Sequence, residues 1–176
     1  VKAAYCPGFQ QLVNVAKSGK IGKIIDVEAS FTRLADKASR ERTDAKYGGS
    51  FLEFGPSVLV PVIKLMGSDY ERVSFDSIYD ESGVDIYTKA DIRYPEGFAT
   101  VKTEGQLVVS GTEGYIIAQS PWWLMRQFDV RYEDASRIEH YEPRFLGDGL
   151  RYEISDFVSK INGTDKKDYK LTSGES

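Results

Sequence analysis

The chain has 176 residues, of which 41% are hydrophobic and 28% are charged. A chain of this length can bury one core of ordinary size, so we predict a single domain over residues 1–176. The formal net charge is −4, and Lys and Arg are scattered among Asp and Glu. This pattern excludes the basic patch that binds nucleic acid or an anionic membrane, and we expect a small-molecule or protein partner instead.

Two residue types occur only once, and their scarcity excludes several kinds of site. Cys6 is the only cysteine, so the chain has no internal disulfide and no multi-cysteine metal site, as in cytoplasmic proteins. His140 is the only histidine, which excludes a His-rich zinc site and any Ser-His-Asp triad built without it. Gly or Pro interrupts the apolar stretches after about ten residues, which is too short to span a bilayer. We predict a cytoplasmic protein without a metal.

The first third of the chain predicts a helix, a strand and a polar loop. Residues 8–18 have apolar side chains at helical spacing, and Ser18-Gly19 supplies the stop. Residues 25–32 alternate apolar and polar side chains, which is the two-residue period of a half-buried strand. Residues 35–46 are almost all polar and have no period, so they predict an exposed loop, a kind of segment that often carries function.

A strongly apolar helix is predicted over residues 51–66. Its composition is too hydrophobic for a helix at the surface, so we expect it to be buried. Pro56 suits the first turn of this helix, Pro61 should bend it and Gly67 ends it.

Short strands follow, separated by turn-forming residues. They are predicted over residues 72–79, 84–94, 98–103, 106–110, 115–118, 126–132 and 136–141. Because their links are short, neighbouring strands should be antiparallel. A last helix is predicted over residues 149–162, with Gly163 as its C-cap and one apolar stripe. The stripe comprises Leu150, Ile154, Phe157, Val158 and Ile161.

Together these elements predict an α+β fold, in which two or three helices pack on one face of a large, mostly antiparallel, open-faced sheet. The other face would still carry aromatic and β-branched side chains. We therefore predict that this open face packs on another subunit or domain, with a homodimer as the minimum assembly.

Three short motifs each allow a functional and a structural interpretation. The turn from Gly111 to Gly114 lacks the third glycine and the following helix of a dinucleotide-binding motif, so we interpret it as a hairpin turn. Trp122 and Trp123 would suit a sugar site or a buried core. His140 could transfer protons, or it could lie at a solvated strand end. Nothing else resembles a dinucleotide-binding unit, so we expect the chain alone to bind no NAD(P).

Glu53 is the most informative candidate for a functional side chain. It stands among apolar residues at the start of the predicted buried helix, where a lone carboxylate is costly without a partner or a task. A structural role is also open, in which Glu53 interacts with the free backbone amides of the helix N-terminus. The residues themselves do not decide between the two roles.

Several motifs occur along nearly all of the chain in a characteristic order. They are Ser18-Gly19-Lys20-Ile21-Gly22-Lys23 before a strand, Gly48-Gly49 with a following acidic residue and Gly55 before a helix ending at Gly67, Gly111-Thr112-Glu113-Gly114, and the last helix. In this order and spacing they resemble the C-terminal domain of the glucose–fructose oxidoreductase / inositol dehydrogenase / MocA (Gfo/Idh/MocA) family.

The resemblance implies a two-domain parent protein. An N-terminal Rossmann domain, absent from this chain, would carry NAD or NADP and a catalytic lysine, while this domain would bind a sugar, polyol or nucleotide sugar. The cofactor would belong to the parent, and none is expected for this chain alone. The resemblance also implies a homo-oligomer formed through the open sheet face.

The resemblance places the edge of the substrate cleft at Glu53 and Ser57, where many family members have an Asp followed four residues later by a His or Tyr. A serine hydroxyl is no base near neutral pH without a neighbour to take its proton. We therefore assign Glu53 to orienting a substrate hydroxyl and Ser57 to one hydrogen bond. The predicted substrate-binding side chains are Arg33, Arg40, Arg42, Lys46, Trp122 and Trp123. The alternative is a non-catalytic binding or assembly domain that has lost the proton-transfer pair.

Overall fold

The structure, a computed structural model, describes residues 1–31, 44, 46–102, 105–164 and 171. This part of the chain contains three α-helices, eight strands and two short 3-10 helices. The helices are α1 (Pro7–Lys17), α2 (Ser50–Met66) and α3 (Leu150–Ile161). The strands are β1 (Ile24–Ser30), β2 (Arg72–Tyr79), β3 (Asp85–Tyr94), β4 (Gly97–Lys102), β5 (Leu107–Gly111), β6 (Tyr115–Ala118), β7 (Phe128–Arg131) and β8 (Ile138–Tyr141). The 3-10 helices are Lys2–Tyr5 and Trp122–Leu124.

The strands of the described residues form one sheet in the order β2-β3-β4-β1-β5-β6-β7-β8. β1 pairs in parallel with β4, and the other neighbouring pairs are antiparallel. The single parallel pair arises because the chain leaves β1 through α2 and returns only after the β2-β3-β4 meander. The predicted α+β fold with a large, mostly antiparallel sheet is confirmed.

One face of the sheet, here called the helix face, forms the core. Along β3 and β4 every second side chain is buried, which is the alternation expected of strands covered on one side. α2 lies against β1, β3 and β4. The buried cluster combines sheet residues with the apolar sides of α1 and α2, and its members include Phe9, Leu12, Val27, Val58, Val62, Ile92, Val101, Leu107, Ile116 and Val130.

The opposite face, here called the open face, is a mixture of ion pairs and apolar side chains. Ion pairs join Lys89 to Asp91 at 2.9 Å and Arg131 to Asp129 at 2.9 Å. Near the middle of the sheet the Phe98 ring is 57% exposed, and the Arg93 guanidinium lies over it at 4.3 Å.

α2 differs from its prediction in two ways. It begins at Ser50, so Pro56 is its seventh residue rather than part of its first turn. Glu53 lies within the first turn, and Ser57 is the eighth residue. The helix is also not buried all round, because Leu52, Glu53 and Pro56 are exposed. The prediction failed because apolar composition alone does not show which side of a helix has a neighbour.

The orientation of α3 also contradicts the expectation from its apolar stripe. The stripe residues Leu150, Ile154, Phe157, Val158 and Ile161 are all exposed. The buried residue of this helix is Asp156, which forms an ion pair with Lys160 at 3.3 Å, and the helix contacts the 3-10 helix Lys2–Tyr5. Periodicity therefore identified the apolar side of α3 but not the surroundings of that side. No helix of the described residues is long and apolar enough to cross a membrane.

Candidate functional site

The N-terminus of α2 is held by a side chain from the sheet. The Phe51 N–H donates to Asp85 Oδ2 at 2.8 Å, and the Thr88 hydroxyl donates to the same oxygen at 2.8 Å. Gly49 precedes the helix with φ of 110°, and a Cβ at this position would lie 1.9 Å from Asp85 Oδ1. Only glycine therefore allows the carboxylate to approach so closely. Asp85, at the start of β3, caps the helix.

Asp85 is a residue that sequence reasoning missed. It lies 34 positions from Phe51, so no local capping pattern reveals it. Because Asp85 binds the Phe51 amide, Glu53 is not the group that caps that amide.

Glu53 and Ser57 stand four residues apart on α2, so they share one side of the helix. Glu53 is exposed and Ser57 is half-buried. Within the described part of the chain, neither side chain has a hydrogen-bond or ion-pair partner. The premise that Glu53 is a buried carboxylate is therefore wrong for this chain, because its side chain is exposed and has no partner among the described residues.

Three half-buried aromatic rings adjoin α2 and form a continuous group, here called the aromatic row. The Phe31 ring stacks on the Phe54 ring at 5.0 Å between centroids, and it lies 4.0 Å from the Trp123 ring. Phe54 is next to Glu53 in α2, and Phe31 directly follows β1. The aromatic row thus places partly exposed ring surface beside the Glu53 and Ser57 side of the helix.

The Trp122 and Trp123 pair divides between the core and the surface. Trp122 is 1% exposed, and its Nε1–H donates to the Ser30 carbonyl at 2.6 Å. This geometry is that of a satisfied core tryptophan, which was one of the two interpretations of the pair. Trp123 is half-buried and belongs to the aromatic row.

The cationic side chains of the predicted polar loop are only partly described. Lys46 is exposed in a turn just before α2, its N–H donates to Asp44 Oδ1 at 2.9 Å, and its Nζ lies 5.0 Å from the Tyr47 ring centre. Arg33, Arg40 and Arg42 lie outside the described residues.

The other motifs belong elsewhere in the molecule. Gly111 and Gly114 close a hairpin between β5 and β6, with an N–H to carbonyl distance of 2.8 Å, as the turn chemistry predicts. His140 lies in β8 on the open face, largely exposed, with Nδ1 2.8 Å from Asp129 Oδ1. Among the described residues, no group of three His, Cys, Asp or Glu side chains could hold a metal ion.

Comparison with known proteins identifies the fold. No protein-family model matches the sequence, and no curated protein matches it. Among solved structures, the chain is similar to KijD10, a 3-ketoreductase from Actinomadura kijaniata in complex with NADP and TDP-benzene, with a TM-score of 0.79 and 17% identity. This match covers 96% of the chain and 55% of the ketoreductase.

Two further structures give the same result. An aldose-aldose oxidoreductase from Caulobacter crescentus, complexed with glycerol, matches with a TM-score of 0.78, 12% identity and coverage of 96% of this chain and 54% of that one. A levoglucosan dehydrogenase in complex with NADH and L-sorbose matches with a TM-score of 0.76, 16% identity and coverage of 99% and 58%. At these identities the likeness shows the fold alone, and the chain spans little more than half of the matched proteins.

Proposed function

We propose that this chain is the substrate-binding and oligomerisation part of an NAD(P)-dependent oxidoreductase of the Gfo/Idh/MocA type, which acts on a sugar, polyol or nucleotide sugar. The fold supports this proposal, because it is shared with oxidoreductases whose structures contain NADP or NADH and, in one case, L-sorbose. The observation that carries it within the chain is the unpartnered pair Glu53 and Ser57, which stands beside the aromatic row.

Each part of this site suits one task in binding a polyhydroxylated substrate. The exposed Glu53 carboxylate would accept a hydrogen bond from a substrate hydroxyl and orient it. The Ser57 hydroxyl would contribute a second hydrogen bond, and the aromatic row would contact an apolar face of the ring. Lys46, together with Arg33, Arg40 and Arg42 of the same sequence segment, would supply positive charge for an anionic group.

The cofactor would be held mainly by a dinucleotide-binding domain outside this chain, and the nicotinamide, when bound, would supply hydride transfer. One local observation supports this division. Gly48-Gly49 before α2 is the arrangement closest to a phosphate-binding helix start, but the Phe51 amide is already occupied by the Asp85 carboxylate. A second anionic group would meet that carboxylate instead of a free amide.

A second candidate function is a non-catalytic binding or assembly domain. Ser57 is the observation that favours it, because its hydroxyl makes no hydrogen bond to a described side chain that could take its proton. In that case the site would bind a sugar-like ligand without turning it over.

We also propose that the open face is an oligomer interface. Phe98 lies exposed near the middle of this face, and the exposed side chains of Tyr115 and Ile138 stand opposite Arg131 on the two neighbouring strands. An exposed aromatic ring near the middle of a sheet face that no described helix covers is a typical contact in a symmetric assembly.

The test of the proposed function uses both the full-length gene product and this chain. We expect NAD or NADP to co-purify with the full-length protein. We also expect the full-length protein to oxidise or reduce a sugar or polyol with this cofactor. Calorimetry on the 176-residue chain should show no saturable heat with either nucleotide at micromolar concentration. Saturable binding of NAD or NADP by the chain would contradict the proposal that a separate domain holds the cofactor. A full-length protein that binds a sugar without turnover would favour the second candidate function.

A further inference from the structure

The edge strand β2 is unusually open to pairing with another strand. It has eight residues, and its register with β3 is regular from Arg72 to Ile78, with an irregularity only before Tyr79. It contains neither lysine nor proline, two residues that protect natural sheet edges. The opposite edge, β8, has only four residues. Within the described part of the chain, the outer side of β2 therefore presents a row of backbone groups without a strand partner, long enough for strand addition.

The residues of β3 that pair with β2 show on which face of the sheet each β2 side chain lies. Arg72, Ser74 and Asp76 pair with residues of the open face, whereas Val73 and Phe75 pair with Ile92 and Ala90, which are buried on the helix face. Arg72, Ser74, Phe75 and Asp76 are all exposed, and the Phe75 ring is 57% exposed. Both the charged and the apolar side chains of this edge are therefore available.

These five residues are complementary to themselves. When two β2 strands run antiparallel about a two-fold axis at Ser74, Arg72 of each copy stands opposite Asp76 of the other, on the same face of the sheet. Val73 then stands opposite Phe75 of the second copy on the other face. Opposite charges and apolar side chains in directly facing positions are the pairs that stabilise antiparallel strands.

Neighbouring registers that keep each face continuous lack this complementarity. An axis at Asp76 would place that carboxylate opposite its own copy, which is unfavourable. An axis at Phe75 would place Arg72 opposite Ile78 and leave the charge unpaired. A shift by a single residue would bring open-face side chains onto the helix face. Charge complementarity therefore selects one register.

We propose that two copies of this chain associate through β2, antiparallel and centred on Ser74, so that their sheets become one continuous sheet. The partner strand is β2 of a second copy, because β2 itself contains both the arginine and the aspartate of the facing Arg72–Asp76 pairs. An isologous interface requires such a self-complementary surface. This contact is separate from the open-face interface proposed above, which depends on side chains near the centre of the sheet.

Charge reversal tests the pairing. Sedimentation equilibrium would be carried out on the 176-residue chain with Phe98→Asp, which removes the central apolar contact of the open face. We expect Arg72→Asp or Asp76→Arg to weaken dimerisation about tenfold, because each change turns two attractive pairs into two repulsive ones. The double variant Arg72→Asp/Asp76→Arg should restore it. The control Glu133→Arg reverses an exposed charge in the β7–β8 turn and should have no effect.

Cysteine cross-linking tests the register. Facing Cα atoms in an antiparallel pair are about 4.5–5.5 Å apart, which lies within the range that a disulfide bridges. Ser74→Cys should therefore form a disulfide-linked dimer under mild oxidation, whereas the control Tyr79→Cys should not. The native Cys6 is buried and does not compete, because burial raises the pKa of its thiol to about 11. A monomeric Phe98→Asp chain, a double variant no better than the single ones, or cross-linking at Tyr79→Cys rather than Ser74→Cys would each overturn the proposal.

Discussion

At the scale of single residues, a change at Glu53 distinguishes a role in substrate binding from a role in stability. Its carboxylate is exposed, it has no partner among the described residues, and Asp85 holds the helix start in its place. We predict that Glu53→Gln leaves the melting temperature of this chain nearly unchanged. In the full-length protein it should lower turnover or sugar affinity about 10- to 100-fold, the loss expected for one charged hydrogen bond.

The control for this prediction is Glu142→Gln, at an exposed position beyond β8. It should change neither property. If Glu53→Gln keeps full activity and lowers the melting temperature by several degrees, Glu53 has a structural role and the proposed site is wrong.

Glu139 is the residue at which pH should act most clearly. Its carboxylate accepts hydrogen bonds from the Lys20 ammonium, from the Tyr132 hydroxyl at 2.8 Å and from the Tyr141 hydroxyl at 3.0 Å. These bonds, the one from Lys20 above all, lower the pKa of Glu139 to about 2, and the same contact raises the pKa of Lys20. The cluster joins the turn after α1 to the edge strand β8.

The sign of the pH effect follows from the lowered pKa. The contribution of Glu139 to stability is present above its unfolded pKa of about 4.3 and is lost as the pH falls towards 2. We predict that thermal unfolding of the wild type shows a loss of stability in this interval that is smaller in Glu139→Gln. Glu142→Gln, three positions away, should retain the wild-type slope. Equal slopes for the wild type and Glu139→Gln would contradict the prediction.

At the scale of elements, the junction between α2 and β3 depends on the close contact of Gly49 and Asp85. We predict that Asp85→Ala destabilises the chain by about 1–3 kcal/mol, because the Phe51 amide loses its cap and the Thr88 hydroxyl loses its acceptor. Gly49→Ala should also destabilise it, through both the contact with Asp85 and the positive φ.

A double-mutant cycle measured by chemical denaturation checks this interpretation. Gly49→Ala should cost less in the Asp85→Ala background, because the contact between the new Cβ and Asp85 Oδ1 no longer exists. The cost that remains reports the positive φ of residue 49. Strict additivity of the two changes would show that the two residues are not coupled.

At the scale of the whole molecule, the proposed oligomer depends on contacts made by the open face. We predict that Phe98→Asp lowers the oligomeric state measured by light scattering, because it places a carboxylate at the centre of the exposed face. The helix face should be unaffected, and Arg93, which now lies over the ring, can pair with the new carboxylate. The matched control Phe157→Asp changes an exposed aromatic residue on α3, away from both proposed interfaces, and should leave the oligomeric state unchanged. Identical assembly of the wild type and Phe98→Asp would argue against an interface on this face.

The sequence by itself determined the order of the elements and the class of the fold. Turn-forming residues on both sides of residues 84–94 predict a strand there, and β3 (Asp85–Tyr94) occupies this position. Gly67 ends α2 as predicted, whereas the C-cap of α3 is Asn162 and Gly163 follows it with a positive φ. These features depend on neighbours a few residues apart, so the local sequence contains their cause.

Only the tertiary structure decided what each surface meets. The Asp85 cap on α2 joins residues 34 positions apart, and the aromatic row joins Phe31, Phe54 and Trp123 from three separate elements. The apolar stripe of α3 has the spacing of a buried surface, yet it is exposed. The sequence shows that a helix has an apolar side, whereas the direction of that side depends on long-range packing that no local pattern contains.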